Sequence, residues 1–261
     1  LALPLRANGI AYRGVNILVL WAAAQQQGYT SPHWFSFKQA RELGGSVRRG
    51  ERATHVVYYS GARQQEPDES QTAEETPKRR SFLRTFAVFN ACQIDALPGR
   101  FHFRPDLLAE PDDAALARLF ARVPATVRYG GARACYDPMS DTIQMPPRTA
   151  FASTALHYAT LAHELGHWTG HASRLDRDLS QPRTSASYAG EELVAELTAA
   201  FLGAELGLPV DHVEQHASYI ESWIRLLAGE PGALMSAAGK AQAAADLLRG
   251  YMLSSTTAED A

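Results

Sequence analysis

The chain has 261 residues, 46% hydrophobic and 20% charged, which excludes chain-wide disorder and favours two domains or one large one. Its longest strongly apolar stretch, Ile17 to Ala24, is far short of the ~20 residues that span a bilayer, so no membrane partner is expected. The net charge of -3 hides an asymmetry: residues 1–110 carry 14 Lys and Arg against 10 Asp and Glu, and residues 111–261 carry 11 against 18. A basic half beside an acidic half points to an anionic partner for the first. Two cysteines, Cys92 and Cys135, cannot make a disulfide framework and suit a reducing, cytoplasmic compartment. The chain starts at Leu1 rather than Met, which leaves open what precedes it.

Val15 to Gln27 reads as a helix stopped by Gly28, with Trp21 in the core. Ser36-Phe37-Lys38-Gln39 opens a short helix with a capping-box pattern, closed by Gly44-Gly45. His55 to Tyr59 and Phe82 to Phe89 are rich in β-branched and aromatic residues and read as two strands of one sheet. Between them, residues 61–80 hold Glu66, Asp68, Glu69, Glu74 and Glu75 and no large apolar residue, the composition of a mobile acidic loop. These elements predict a small α+β domain over residues 1–108. Beyond it, Asp112-Asp113 opens a helix through Arg122. Short strands follow at Thr126–Tyr129, Ala132–Tyr136 and Thr142–Met145, then helices at Ser153–Thr169, Ser187–Leu206, Asp211–Leu227 and Leu234–Met252. Residues 109–261 therefore read as a mainly helical domain with a short edge sheet.

The chemistry concentrates in the second helical stretch of that domain. His163-Glu164-Leu165-Gly166-His167 is an HExxH motif, which a chain of this composition would contain by accident about one time in fifty. On a helix the two histidines lie one turn apart on one face, so both reach one zinc ion at ~2.0–2.1 Å. Glu164 leaves the same turn at another angle, suited to a water beside the metal rather than to the metal.

A catalytic zinc site needs a third ligand and an open position. Glu192 is the candidate, because Glu192 and Glu196 share one face of an otherwise apolar helix and a buried carboxylate needs a positive partner. Glu196 then holds a ligand histidine from outside the metal's own shell, and Glu191 is explained by the dipole at the helix N-terminus. His171, four residues after His167, is the alternative third ligand, but it lies ~12 Å of helix from His163 and reaches the ion only if the chain turns back. His157 is off the ligand face and reads as structural; Cys135 lacks Cys or His neighbours at ligand spacing and reads as core.

Around the motif the likeness extends much further. The run from His163 to His171, then Arg174-Leu175, then Tyr188 to Glu196, resembles the zincin-like metallopeptidase domain of the ArdC antirestriction family. So do Ala134-Cys135-Tyr136-Asp137-Pro138 and Asp141 to Pro146, and, in the N-terminal half, Tyr12 to Asn16, Ser31 to Ala40 and Gly44 to Glu51. The resemblance implies an N-terminal single-stranded-DNA-binding domain, shared with plasmid primases, and a C-terminal metallopeptidase domain. It also implies a plasmid-encoded protein that protects incoming DNA during conjugation.

With that partner implied, Tyr12, Trp34 and Phe35 are the expected base-stacking residues and Arg13, Lys38, Arg48 and Arg49 the expected phosphate contacts. His33 and Trp34 follow Pro32 in what reads as an exposed loop. In the second domain the expected mechanism is hydrolysis of an unidentified protein substrate, with Glu164 as general base, Tyr188 as a candidate oxyanion donor and Asp141–Met145 as the edge strand beside the cleft. Zinc fits the ligand types, with Mn2+ an alternative. The rival reading is a non-proteolytic protein that coats single-stranded DNA and carries a structural metal.

Overall fold

The computed structural model describes residues 2–60, 82–102, 112–181, 185–208, 230 and 232–254. The segment read as an acidic loop, the domain boundary near residue 108 and the helix expected at Asp211–Leu227 lie outside the described residues. The chain is α+β, with short sheets and longer helices, and it groups into two compact units. One comprises Pro4–Tyr12 and Asn16–Arg104; the other comprises Pro105–Ala261 together with Leu1–Leu3 and Arg13–Val15.

The N-terminal unit contains β1 (Leu5–Arg6), α1 (Val15–Gln27), β2 (His33–Phe35), α2 (Phe37–Glu42), β3 (Ser46–Val47), β4 (Thr54–Ser60), β5 (Phe82–Asn90) and β6 (Ile94–Asp95). Its main sheet has the order β1-β2-β5-β4, with β1 parallel to β2 and the other pairs antiparallel. The capping box at α2 is complete: Ser36 Oγ accepts from the Gln39 backbone N–H, and Gln39 Oε1 accepts from that of Ser36. A core cluster of Phe35, Ala40, Ala91, Ile94, Leu97 and Phe101 lies beneath α2 and β2.

Three expectations for this unit are corrected. His33 and Trp34, read as part of an exposed loop, belong with Phe35 to a strand, and Trp34 and Phe35 are 1% and 0% exposed. Trp34 packs edge-on to Tyr29 and Phe35 edge-on to Phe101, so neither ring has a free face for a base. Tyr12 is also buried, with the Arg6 guanidinium 5.4 Å from its ring centre. Trp21, expected in the core, is only partly buried.

The C-terminal unit contains α3 (Asp113–Phe120), β7 (Thr126–Tyr129), β8 (Cys135–Asp137), β9 (Thr142–Met145), α4 (Thr154–Trp168), α5 (Ala186–Leu206) and α6 (Ala233–Leu253). Helices α4 and α5 start on side-chain caps: Ser153 Oγ accepts from Leu156 N–H, and Ser185 Oγ from Tyr188 N–H. Gly207 ends α5 in the left-handed conformation (φ 72°), where a side chain would be strained. The sheet order is β7-β9-β8, so β9 is the central strand and β8 the edge, reversing the expectation for Asp141–Met145. β8 runs antiparallel to β9. Arg13 also belongs to this unit: it forms an ion pair with Asp246 on α6, and the neighbouring Gly14 N–H donates to Gln242 Oε1 at 2.9 Å. Arg13 is thus paired with an acid while its side chain stays 53% exposed.

Helices α4 and α5 pack closely where both are small. A Cβ on Gly166 would come within 3.0 Å of the Ala195 Cα and 3.2 Å of the Ala195 carbonyl. Only glycine lets the two backbones meet there. That crossing brings the histidines of α4 against the acids of α5.

Candidate metal centre

His163 and His167, one turn apart on α4, place their Nε2 atoms 3.2 Å apart. Glu192, from the second turn of α5, places one carboxylate oxygen 3.7 Å from His163 Nε2 and the other 3.6 Å from His167 Nε2. Ligand atoms at ~2.0–2.1 Å in a tetrahedron lie about 3.3 Å from one another; the two Nε2 atoms stand at that spacing, Glu192 turns a different oxygen to each histidine, and one ligand atom from each of the three residues lies within 4.8 Å of the others. Two imidazoles and a carboxylate are also a donor set suited to zinc and neighbouring divalent metals. Among the described residues, this is the only group of three or more His, Cys, Asp or Glu with metal-binding spacing.

Each histidine has an acid behind it, hydrogen-bonded in the case of His167. His167 Nδ1 lies 3.3 Å from Glu191 Oε1, and His163 Nδ1 lies 3.4 Å from Glu196 Oε1. A carboxylate there selects the tautomer that leaves Nε2 free and raises the ligand's basicity. Burial opposes a charged His167, but Glu191 and Glu192 outweigh it and push its pKa up to about 10. Burial likewise opposes the charged Glu192, and hydrogen bonds from His167 and Tyr188 hold its pKa down to about 2. Acids crowded around buried imidazoles in this way favour a positive charge among them, which a bound cation would supply.

Glu191 is in turn gripped by Arg177, whose side chain is 6% exposed. Its Nε and Nη2 donate to the two Glu191 oxygens at 2.9 and 2.8 Å, a bidentate pair. The same guanidinium donates to the Gly166 carbonyl at 2.7 Å and to Thr169 Oγ1 at 2.9 Å, closing the C-terminal turn of α4. Arg174 clamps that end from the other side. It stacks 3.8 Å from the Trp168 ring centre, donates to the Trp168 carbonyl, and pairs with Asp141 at the start of β9. Tyr136 Oη donates to the same Asp141 at 2.8 Å, tying β8 to the clamp.

Sequence reasoning missed Glu191 and Arg177. Their signal was the adjacent acid pair Glu191-Glu192: two buried carboxylates at one place require cations from both sides, and the helix dipole supplies too little charge.

A cleft of about 890 Å³ opens on the cluster. His163, Glu164, His167, Tyr188 and Glu192 line it, as do Gly131 to Tyr136 from the edge of the sheet. Cys135, expected in the core, is exposed on this rim. His171 is turned away: its Nδ1 is 2.8 Å from Ser173 Oγ, and it lies outside both the donor cluster and the cleft lining. The chain does turn back after Gly170, but it brings Arg174 and Arg177 to α4 and leaves His171 outside. His157 is 2% exposed, stacked on Tyr129 and edge-on to Phe151.

Of the residues expected at DNA, Arg49 and Lys38 are exposed, Lys38 within 3.7 Å of Glu42. Arg48 is committed to Glu51, to Asp95 and to the Cys92 carbonyl.

An HExxH helix crossed by a helix carrying the third donor, beside a small sheet with a free edge strand, defines a zincin-like metallopeptidase domain, and residues 114–240 match the model of that name. Residues 1–89 match the N-terminal domain of the anti-restriction factor ArdC. The chain belongs to the ArdC antirestriction family. It is similar to the metal-free crystal structure of the ArdC protein from plasmid R388, with 44% identity and a TM-score of 0.81 over 96% of this chain and 89% of that one. The Mn(II)-bound structure of the same protein gives 42% and 0.80, with the same coverage. The uncharacterized protein y4eC of Sinorhizobium fredii is 39% identical over 92% of this chain and 78% of its own length. The DNA primase TraC of Escherichia coli is 38% identical over 94% of this chain, which spans only 24% of that primase.

Proposed function

We propose that this protein is a cytoplasmic, single-stranded-DNA-binding antirestriction protein that protects incoming plasmid DNA during conjugation, with residues 109–261 acting as a metal-dependent peptidase. The observation that supports the peptidase reading is the convergence of His163, His167 and Glu192 beside Glu164 in an open cleft. His163, His167 and Glu192 would hold a divalent cation, zinc or manganese, which would supply Lewis acidity to a water and a substrate carbonyl. Glu164 takes the water's proton as the carbonyl is attacked and hands it to the departing amine. Tyr188, on the cleft wall, is the candidate donor to the developing oxyanion. Glu191 and Glu196 keep the imidazoles oriented. The edge strand β8 lines the cleft and offers backbone groups to an extended substrate.

The DNA-binding reading is supported by the family match of residues 1–89 and the basic balance of the N-terminal half. No described helix is long and apolar enough to cross a membrane.

The deciding comparison is wild type against Glu164→Gln, assayed for peptide hydrolysis and for protection of a transferred plasmid. Loss of both with metal and single-stranded-DNA binding retained supports hydrolysis. Full protection by the variant favours the coating protein with a structural metal.

A further inference from the structure

We infer that single-stranded DNA docks on one face of the β4–β5 ribbon, with bases stacking on Tyr58 and Phe86. The inference rests on the DNA-binding reading above and gives it a location different from the one expected at Trp34. Directly opposite residues of an antiparallel pair share a face, and here Val56 opposes Phe86, Tyr58 opposes Arg84, and Thr54 opposes Val88. Along this face the ribbon passes from core to solvent. Val88 and Val56 are buried at 4% and 6%, whereas Phe86 and Tyr58 are 51% and 56% exposed. Tyr58 and Phe86 are diagonal neighbours, close enough for aromatic side chains to form one continuous surface.

Two features distinguish this patch from incidental exposure. First, the face carries a cation and no acid: Arg84 stands directly opposite Tyr58 and two residues from Phe86 on the same strand, and neither strand contains an acid. The acidic run 64–77 that joins the strands lies outside the described residues and is not part of the proposed surface. Second, the patch is held in place. Asn16 donates through Nδ2 to the Val57 carbonyl and accepts the Val57 N–H at Oδ1, both at 2.8 Å, fixing the outer edge of β4 beside Tyr58. A fixed aromatic pair with a neighbouring cation is what sequence-tolerant single-strand binding uses. Two large apolar side chains left in water on a ribbon of this kind otherwise offer a surface for unwanted association.

The test uses the full chain and a fluorescent dT20 oligonucleotide followed by anisotropy over a salt series. Tyr58→Ala and Phe86→Ala should each weaken binding about 5- to 150-fold with an unchanged salt slope. Arg84→Gln should reduce the slope of log K against log salt by roughly 0.7. Phe86→Trp should bind as tightly as wild type, with its indole emission quenched by dT20. Phe86→Leu, which keeps an apolar side chain for folding, should behave like Phe86→Ala. If wild type fails to bind dT20, the DNA-binding reading itself falls, and this inference with it. If wild type binds and all four ring variants match it, the location alone is overturned. Equal affinity for a duplex of the same length, or a change in oligomeric mass with unaltered dT20 affinity, also overturns it.

Discussion

Glu191 Oε1 lies 3.3 Å from His167 Nδ1 while both Glu191 oxygens are taken by Arg177, so the orientation of the His167 imidazole depends on a cation fourteen residues before the acid that contacts it. Because Arg177 also bonds the Gly166 carbonyl, the acid and the histidine are referenced to the same turn of α4. Glu191→Ala is expected to weaken metal binding about 10- to 100-fold, as for other acids behind a ligand histidine. Arg177→Met should do the same without touching either imidazole. Competition with a chelator of known affinity reads both, and wild-type affinity in the two variants would show that the histidines orient themselves.

Removal of the proposed ligands themselves gives a graded set. His163→Ala or His167→Ala should abolish stoichiometric metal, since two donors remain, and Glu192→Ala should weaken it strongly. His171→Ala should leave metal content unchanged, because His171 bonds Ser173 outside the cluster. Elemental analysis of the purified variants decides; metal loss in His171→Ala with retention in Glu192→Ala would reverse the assignment of the third ligand.

Glu164→Gln should keep metal and fold while lowering any hydrolytic rate by roughly 10²- to 10⁴-fold, the usual worth of a general base. Metal content and thermal melting are the controls for that rate. Metal loss in this variant would place Glu164 on the ion.

The parts of this site that a sequence can announce are those within one helix. His163 and His167 are legible because four residues make one turn, and Glu192 because an acid interrupts an apolar face. Partners brought together by the path of the chain are not legible in that way. Arg177 reaches Glu191 only because residues 169–181 fold back over the end of α4, and Arg13 meets an acid 233 positions away. Strand order has the same property: nothing local in Thr142–Met145 distinguishes a central strand from an edge. Trp34 failed for a different reason. Its strand has three residues, too few to display alternation, and Pro32 beside it favours reading a loop.

The Asp141–Arg174 pair makes the metal-free protein sensitive to acid. Its hydrogen bonds with Arg174 hold the Asp141 pKa below the ordinary aspartate value of 3.8, with burial opposing and Tyr136 assisting. The pair's contribution is therefore complete above about pH 4 and is lost as the pH falls through the depressed folded value. Asp141→Asn should lower the melting temperature at pH 7, and the difference from wild type should shrink as the pH drops below 3.8. A difference that stays constant from pH 7 to pH 2 would show that the loss is one of packing rather than charge.

Gly166→Ala tests whether the close crossing of α4 and α5 sets the metal geometry. In an isolated helix this change is favourable by about 1 kcal/mol, since glycine is the poorer helix former. Here the new methyl would meet Ala195 Cα at 3.0 Å, and that atom is backbone with no rotamer by which to yield. Overpacking of this kind costs typically 1–3 kcal/mol, so the balance falls on destabilisation. The helices can relieve the clash only by moving apart. Such a move separates His163 and His167 from Glu192, whose donor atoms now stand 3.6 to 3.7 Å apart. The expected outcome is a lower melting temperature together with weaker metal binding. Ala195→Gly should restore part of both in the double variant, because it removes the Cβ that would lie 3.3 Å from the new methyl and frees the backbone to adjust. A Gly166→Ala protein that melts higher and binds metal as wild type does would mean that the α4–α5 distance is set elsewhere along the two helices.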